Sequence, residues 1–166
     1  MIAEADLFTS LAEIAGVFVG FGALIAAVSS TKQTGIQKSR VQGIVVIGLL
    51  VVVASLIPVG IASYGVDSRG VWLYSSVCFL ILIWAALAVS LRSDSFKSAS
   101  PVSFSNHPVG FIAFWIALEV PIQVPLFLVA GGMFEELAPA FYSTALILNL
   151  FEAAFLLALL VFSPEK

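Results

Sequence analysis

The chain has 166 residues, 61% hydrophobic and 10% charged, with a net charge of −3. A soluble domain is about 45–50% apolar and about 25% charged, so this chain lacks the polar surface to cover a globule in water. One cysteine (Cys78) and one histidine (His107) exclude an intrachain disulfide and leave too few ligands for a Cys/His metal cage, and no basic patch points to nucleic acid.

The N-terminus, M-I-A-E-A-D-L-F, has no basic n-region and is not expected to be a cleaved signal peptide. The first apolar segment runs from about Leu11 to Val28. Ser10 and Glu13 match an S-x-x-E capping box, which predicts a helix start there. Ala12, Gly16, Gly20, Ala23 and Ala27 fall on one smooth face that contains G-V-F-V-G, a GxxxG pattern. Gly16 and Gly20 are therefore candidate helix-packing positions, for a helix of the same chain or of a second copy. The stretch L-A-E-I-A-G-V-F-V-G-F-G-A-L resembles helices of small bacterial membrane proteins, which implies a bacterial inner membrane.

A second segment covers Val41 to Ser63, where Pro58, between Ser55 and Gly60, predicts a kink. The third covers Val71 to Leu91 and holds Cys78 in the apolar run S-S-V-C-F-L, where packing explains it. The serine-rich connection Ser93 to Pro108 follows, with His107 in N-H-P at its end, read as a solvated loop residue.

The fourth segment, about Val109 to Gly131, contains L-E-V-P-I-Q-V-P-L-F. Glu119 lies ten residues in, about 15 Å deep at 1.5 Å per residue. Gln123 shares its face four residues on. Pro121 cannot donate to the carbonyl of Ala117, nor Pro125 to that of Pro121, so kinks and carbonyls needing partners are expected. The fifth segment, about Leu137 to Phe162, places Glu152 ten residues from its end, again about 15 Å deep, with Asn149 three residues before it.

Runs of about 20 apolar residues suit transmembrane helices, and continuous rather than alternating hydrophobicity excludes strands. The expectation is an all-α polytopic protein, one domain over residues 1–166, forming a bundle of five transmembrane helices. Lys32, Lys38, Arg40, Arg92, Lys97 and Lys166 fall on one side and Arg69 alone on the other, which predicts the N-terminus outside and the C-terminus cytoplasmic. Tyr64, Trp72, Tyr74 and Tyr142 then mark the outer boundary. Glu4, Asp6, Asp67, Glu135 and Glu136 fall outside, where solvated termini and turns explain them.

Two carboxylates at matched depth, with no Lys or Arg in the spans at that level, make a candidate proton- or cation-binding site of Glu119, Glu152, Gln123 and Asn149. Desolvation and like charge both oppose ionising the pair, so at least one acid is expected to carry a proton. The function expected from this is a channel or transporter-like protein conducting protons or monovalent cations, as a homo-oligomer. The alternative is a non-catalytic subunit packed against membrane partners. An enzyme is not expected, because a lipid-modifying site needs a His/Asp pair or a metal cluster at an interface. No cofactor or metal is implied.

Overall fold

The computed structural model describes residues 4–28, 35–92 and 108–162, with the backbone alone at 35–36, 91 and 108–114. Lys32, Lys97, His107, Lys166 and the connection 93–107 lie outside this description. The described residues form helices α1 (Ala5–Val28), α2 (Gly35–Ser63), α3 (Ser68–Arg92), α4 (Pro108–Ala130) and α5 (Ala138–Phe162), with a 3₁₀ turn at Glu135–Leu137 before α5. Four stretches are long and apolar enough to cross a membrane: Ala5–Val28, Gln37–Ser63, Ser68–Ser90 and Glu135–Phe162. In α4, Trp115–Ala130 is a shorter apolar helix over the residues with described side chains.

α1 begins upstream of its expected start. Ser10 sits inside the helix and is exposed, so the capping box does not form. The Phe8 N–H donates to the Glu4 carbonyl at 3.1 Å, and the first turn is held by Phe8 packing against Trp72 and Tyr142. Asp6 in the first turn favours that start through the helix dipole.

α2 and α5 form the central antiparallel pair. Arg40 Nη1 donates to the Leu159 carbonyl at 2.8 Å, and a Cβ on Gly43 would lie 2.9 Å from Leu156 Cδ1. This register continues to put Glu152 level with Ile47. Arg40 also serves α5 locally, since Leu159 is among its last carbonyls, which lack intrahelical donors. α1 lies along α2, α3 packs on α2 and α4, and α4 closes onto α5.

The α1–α2 seam is made by glycines other than the expected pair. A Cβ on Gly22 would come 2.7 Å from Val45 Cγ2, and one on Gly48 2.7 Å from Val19 Cγ2 and 3.3 Å from the Ala15 carbonyl. Gly16 and Gly20 have nothing within 4 Å of an added Cβ and face away from the chain's own helices.

At the end of the bundle holding the α2–α3 and α4–α5 connections, the Arg69 end, four rings form the core. Phe8, Trp72 and Phe79 surround Tyr142 with centroids 5.9, 5.9 and 5.4 Å from its ring. Trp72 and Tyr142 are thus buried inside the bundle rather than turned to a membrane boundary, while Tyr64 (88% exposed) and Tyr74 face outward. α4 ends in a Schellman motif: Met133 N–H donates to Leu128 and Gly132 N–H to Val129, both at 2.9 Å, with Gly132 at φ 73°.

Candidate functional site

α4 turns Ile122, Leu126 and Val129 into the core, and Glu119 lies one turn before Ile122 along the same stripe. α5 turns Tyr142, Leu146, Asn149, Glu152 and Ala153 inward. Glu119 is half-buried; Glu152 is 3% exposed. α4 and α5 pack against each other, and Glu119 and Glu152 lie on the stripes these helices turn towards the bundle.

Gln123 Nε2 donates to Glu119 Oε2 at 2.7 Å, closing the expected i, i+4 pair. Asn149 behaves otherwise. Its Nδ2 donates to the Ala145 carbonyl at 2.9 Å, back along its own helix. Glu152 Oε1 is buried with no hydrogen-bond partner. An acceptor in such a place is costly unless a proton or cation reaches it. Neutral amides beside two carboxylates can orient a proton or supply oxygens to a small cation, but they bring no compensating charge.

α4 stays helical through Pro121 and Pro125; Pro121 is exposed and Pro125 half-buried. Pro58 is buried inside α2. It has no N–H for the carbonyl four residues back, which belongs to Ala54. Tyr142 fills that gap, its hydroxyl donating to the Ala54 carbonyl at 2.6 Å. The carbonyl that Pro58 leaves without a helical donor is therefore satisfied by a side chain from α5.

Sequence reasoning missed three buried hydroxyls. Ser55, Ser75 and Ser76 are all 0% exposed, and their Oγ atoms have no partner. The signal was available for Ser55: the rule applied to Pro121 and Pro125 points, at Pro58, to Ala54. No comparable signal marked Ser75 and Ser76, because serine in a transmembrane helix usually bonds its own backbone. Ser143 does so, donating to the Pro139 carbonyl at 2.8 Å.

At the Arg69 end a cavity of about 230 Å³ is lined by Ser68, Arg69, Trp72, Val129, Glu135 and Glu136 among others. Arg69 Nε pairs with Glu135 Oε1 at 2.9 Å across its mouth, with both side chains about half exposed. Glu4, Asp6 and Asp67 lie at the same end, and Glu13 is exposed on α1.

No protein-family model, curated protein or solved structure matches the chain.

Proposed function

We propose that the protein is a non-enzymatic, multi-pass conduit for protons or small monovalent cations in a cell membrane, the bacterial inner membrane in this reading, with Glu119 and Glu152 as its midplane site. In this reading all five helices span the bilayer. The uneven split of basic residues puts the N-terminus and the Arg69 end outside and the C-terminus in the cytoplasm. The observation that carries the proposal is Glu152: a buried carboxylate with one oxygen unpartnered, on the helix that packs against the one bearing Glu119. Ionisable groups inside a membrane are expensive to keep and belong by default to ion or proton pathways. The open Gly16 and Gly20 face suits close approach by a second copy, and the conduit is read as a homo-oligomer.

Flux from liposomes tests this. Purified protein is reconstituted around a pH-sensitive dye, and proton, sodium and potassium gradients are imposed in turn. Wild type releases at least one gradient. Glu152→Gln and Glu119→Gln lower that flux at least tenfold at equal incorporation. Wild type no faster than empty liposomes sinks the proposal.

The second reading is a subunit of a larger membrane complex. The same open α1 face favours it, because another protein's helix would fit there equally well. Co-purification of a stoichiometric partner from native membranes, together with absent flux, selects that reading.

A further inference from the structure

We infer that the site's passenger is the proton, and that it travels between the Arg69 end and Glu152 by way of the hydroxyls of Ser55, Ser75 and Ser76. This inference rests on the conduit reading above. The cavity at the Arg69 end reaches down to Trp72. Ser75 and Ser76 follow Trp72 by three and four residues, one turn or about 5.4 Å deeper. Trp72 and Phe79 both abut the Tyr142 ring. At about 100° per residue, positions 75 and 76 fall within about 60° of that direction, so both serines lie on the side of α3 turned towards Tyr142. Ser55 arrives from α2, next to Ala54, whose carbonyl accepts the Tyr142 hydroxyl. Three fully buried serines, two on the side of α3 turned towards Tyr142 and one next to Ala54 on α2, thus carry hydroxyls with no hydrogen-bond partner among the described residues.

The strip continues towards the acids. The register of α2 on α5 brings Ser55 close to the level of Ala145. Asn149 reaches back to the Ala145 carbonyl, and Glu152 follows one turn further. The relay requires water to bridge the steps between these groups.

The surroundings select the passenger. Val51, Phe79, Ile122, Leu126 and Leu146 close the same depth with apolar side chains. A sodium or potassium ion passing there would have to exchange its hydration shell for several oxygens at once. A proton asks for less. Each hydroxyl accepts an incoming proton on a lone pair and releases its own on the far side, so oxygen and charge are both restored after transfer. Tyr142, which donates to a carbonyl that passes nothing on, holds the group in place and is not a carrier.

The test is the same liposome flux on the full chain, with a Ser55→Ala/Ser75→Ala/Ser76→Ala triple variant beside Glu152→Gln. Wild type is expected to dissipate a proton gradient but neither a sodium nor a potassium gradient. The triple variant should lose proton flux at least tenfold while it stays folded and incorporates as well as wild type. Each single alanine variant should also lower proton flux, because the hydroxyls act in series. Should the triple variant fail to incorporate, the three single variants are read in the same way. Proton flux that survives in the alanine variants but falls in Glu152→Gln overturns the relay and leaves the conduit standing. Sodium or potassium flux as fast as proton flux overturns the choice of passenger. Absence of any wild-type flux overturns both.

Discussion

Proline 58 and Tyr142 illustrate how one residue's defect becomes another's task. Pro58 takes a donor from α2, and Tyr142 returns one from α5 at 2.6 Å. Tyr142→Phe should cost about 1–3 kcal/mol, the penalty for leaving a buried carbonyl unpaired. In a Pro58→Ala background residue 58 donates to Ala54 itself, so the same substitution should cost less than half as much. Thermal unfolding in detergent across this double-mutant cycle measures the coupling. Equal losses in both backgrounds would separate the two residues. The acid pair follows the same local logic. Glu119 and Gln123 were legible from their four-residue spacing, and the bond forms at 2.7 Å. Asn149 was legible as a polar neighbour of Glu152 but not as a donor to Ala145, because a transmembrane amide has its own helix carbonyls within reach.

Small residues decide how two of the helices meet. α1 holds Gly16, Gly20 and Gly22, and only Gly22 is pressed against α2, with Gly48 answering from the other side. Gly48→Val would drive a side chain into Val19 and the Ala15 carbonyl, at a cost of about 1–3 kcal/mol from overpacking. Gly20→Val meets nothing and should change folding stability by no more than about 0.5 kcal/mol. Unfolding in detergent checks both. Size-exclusion chromatography with light scattering adds a second readout, in which Gly20→Val shifts a homo-oligomer towards monomer. Unchanged assembly would leave the Gly16/Gly20 face without a second copy.

For the molecule as a whole, charge is sorted to its two ends. Among the described residues, Lys38, Arg40 and Arg92 mark one end; Arg69 stands at the other with Glu4, Asp6, Asp67, Glu135 and Glu136. The orientation proposed from this sorting has a direct check. In a Cys78→Ser background, a cysteine at Tyr64 should react in intact cells with a membrane-impermeant maleimide. One at Arg92 should react only after the membrane is opened. The reverse pattern would invert the topology and put the acidic end in the cytoplasm. Outward-facing apolar stripes, such as Val17, Phe21 and Leu24 on α1 or Val120, Val124 and Phe127 on α4, supply the surface such a body needs in lipid.

From the sequence by itself came the class of protein, the positions of its helices to within a few residues at most ends, and the Gln123 contact. These follow from composition, segment length and spacing along one helix, all of which are local. Which face of each helix turns inward came from the tertiary structure. In a soluble protein a polar stripe reveals that face, but here core and lipid are both apolar, and the helices carry no such stripe. Gly22 and Gly48 therefore could not be told from Gly16 and Gly20, nor the buried Trp72 and Tyr142 from the exposed Tyr64 and Tyr74. The burial of Glu152, the repair of Ala54 by Tyr142 and the burial of Ser55, Ser75 and Ser76 depend on how separate helices pack, and no spacing along a single helix encodes that.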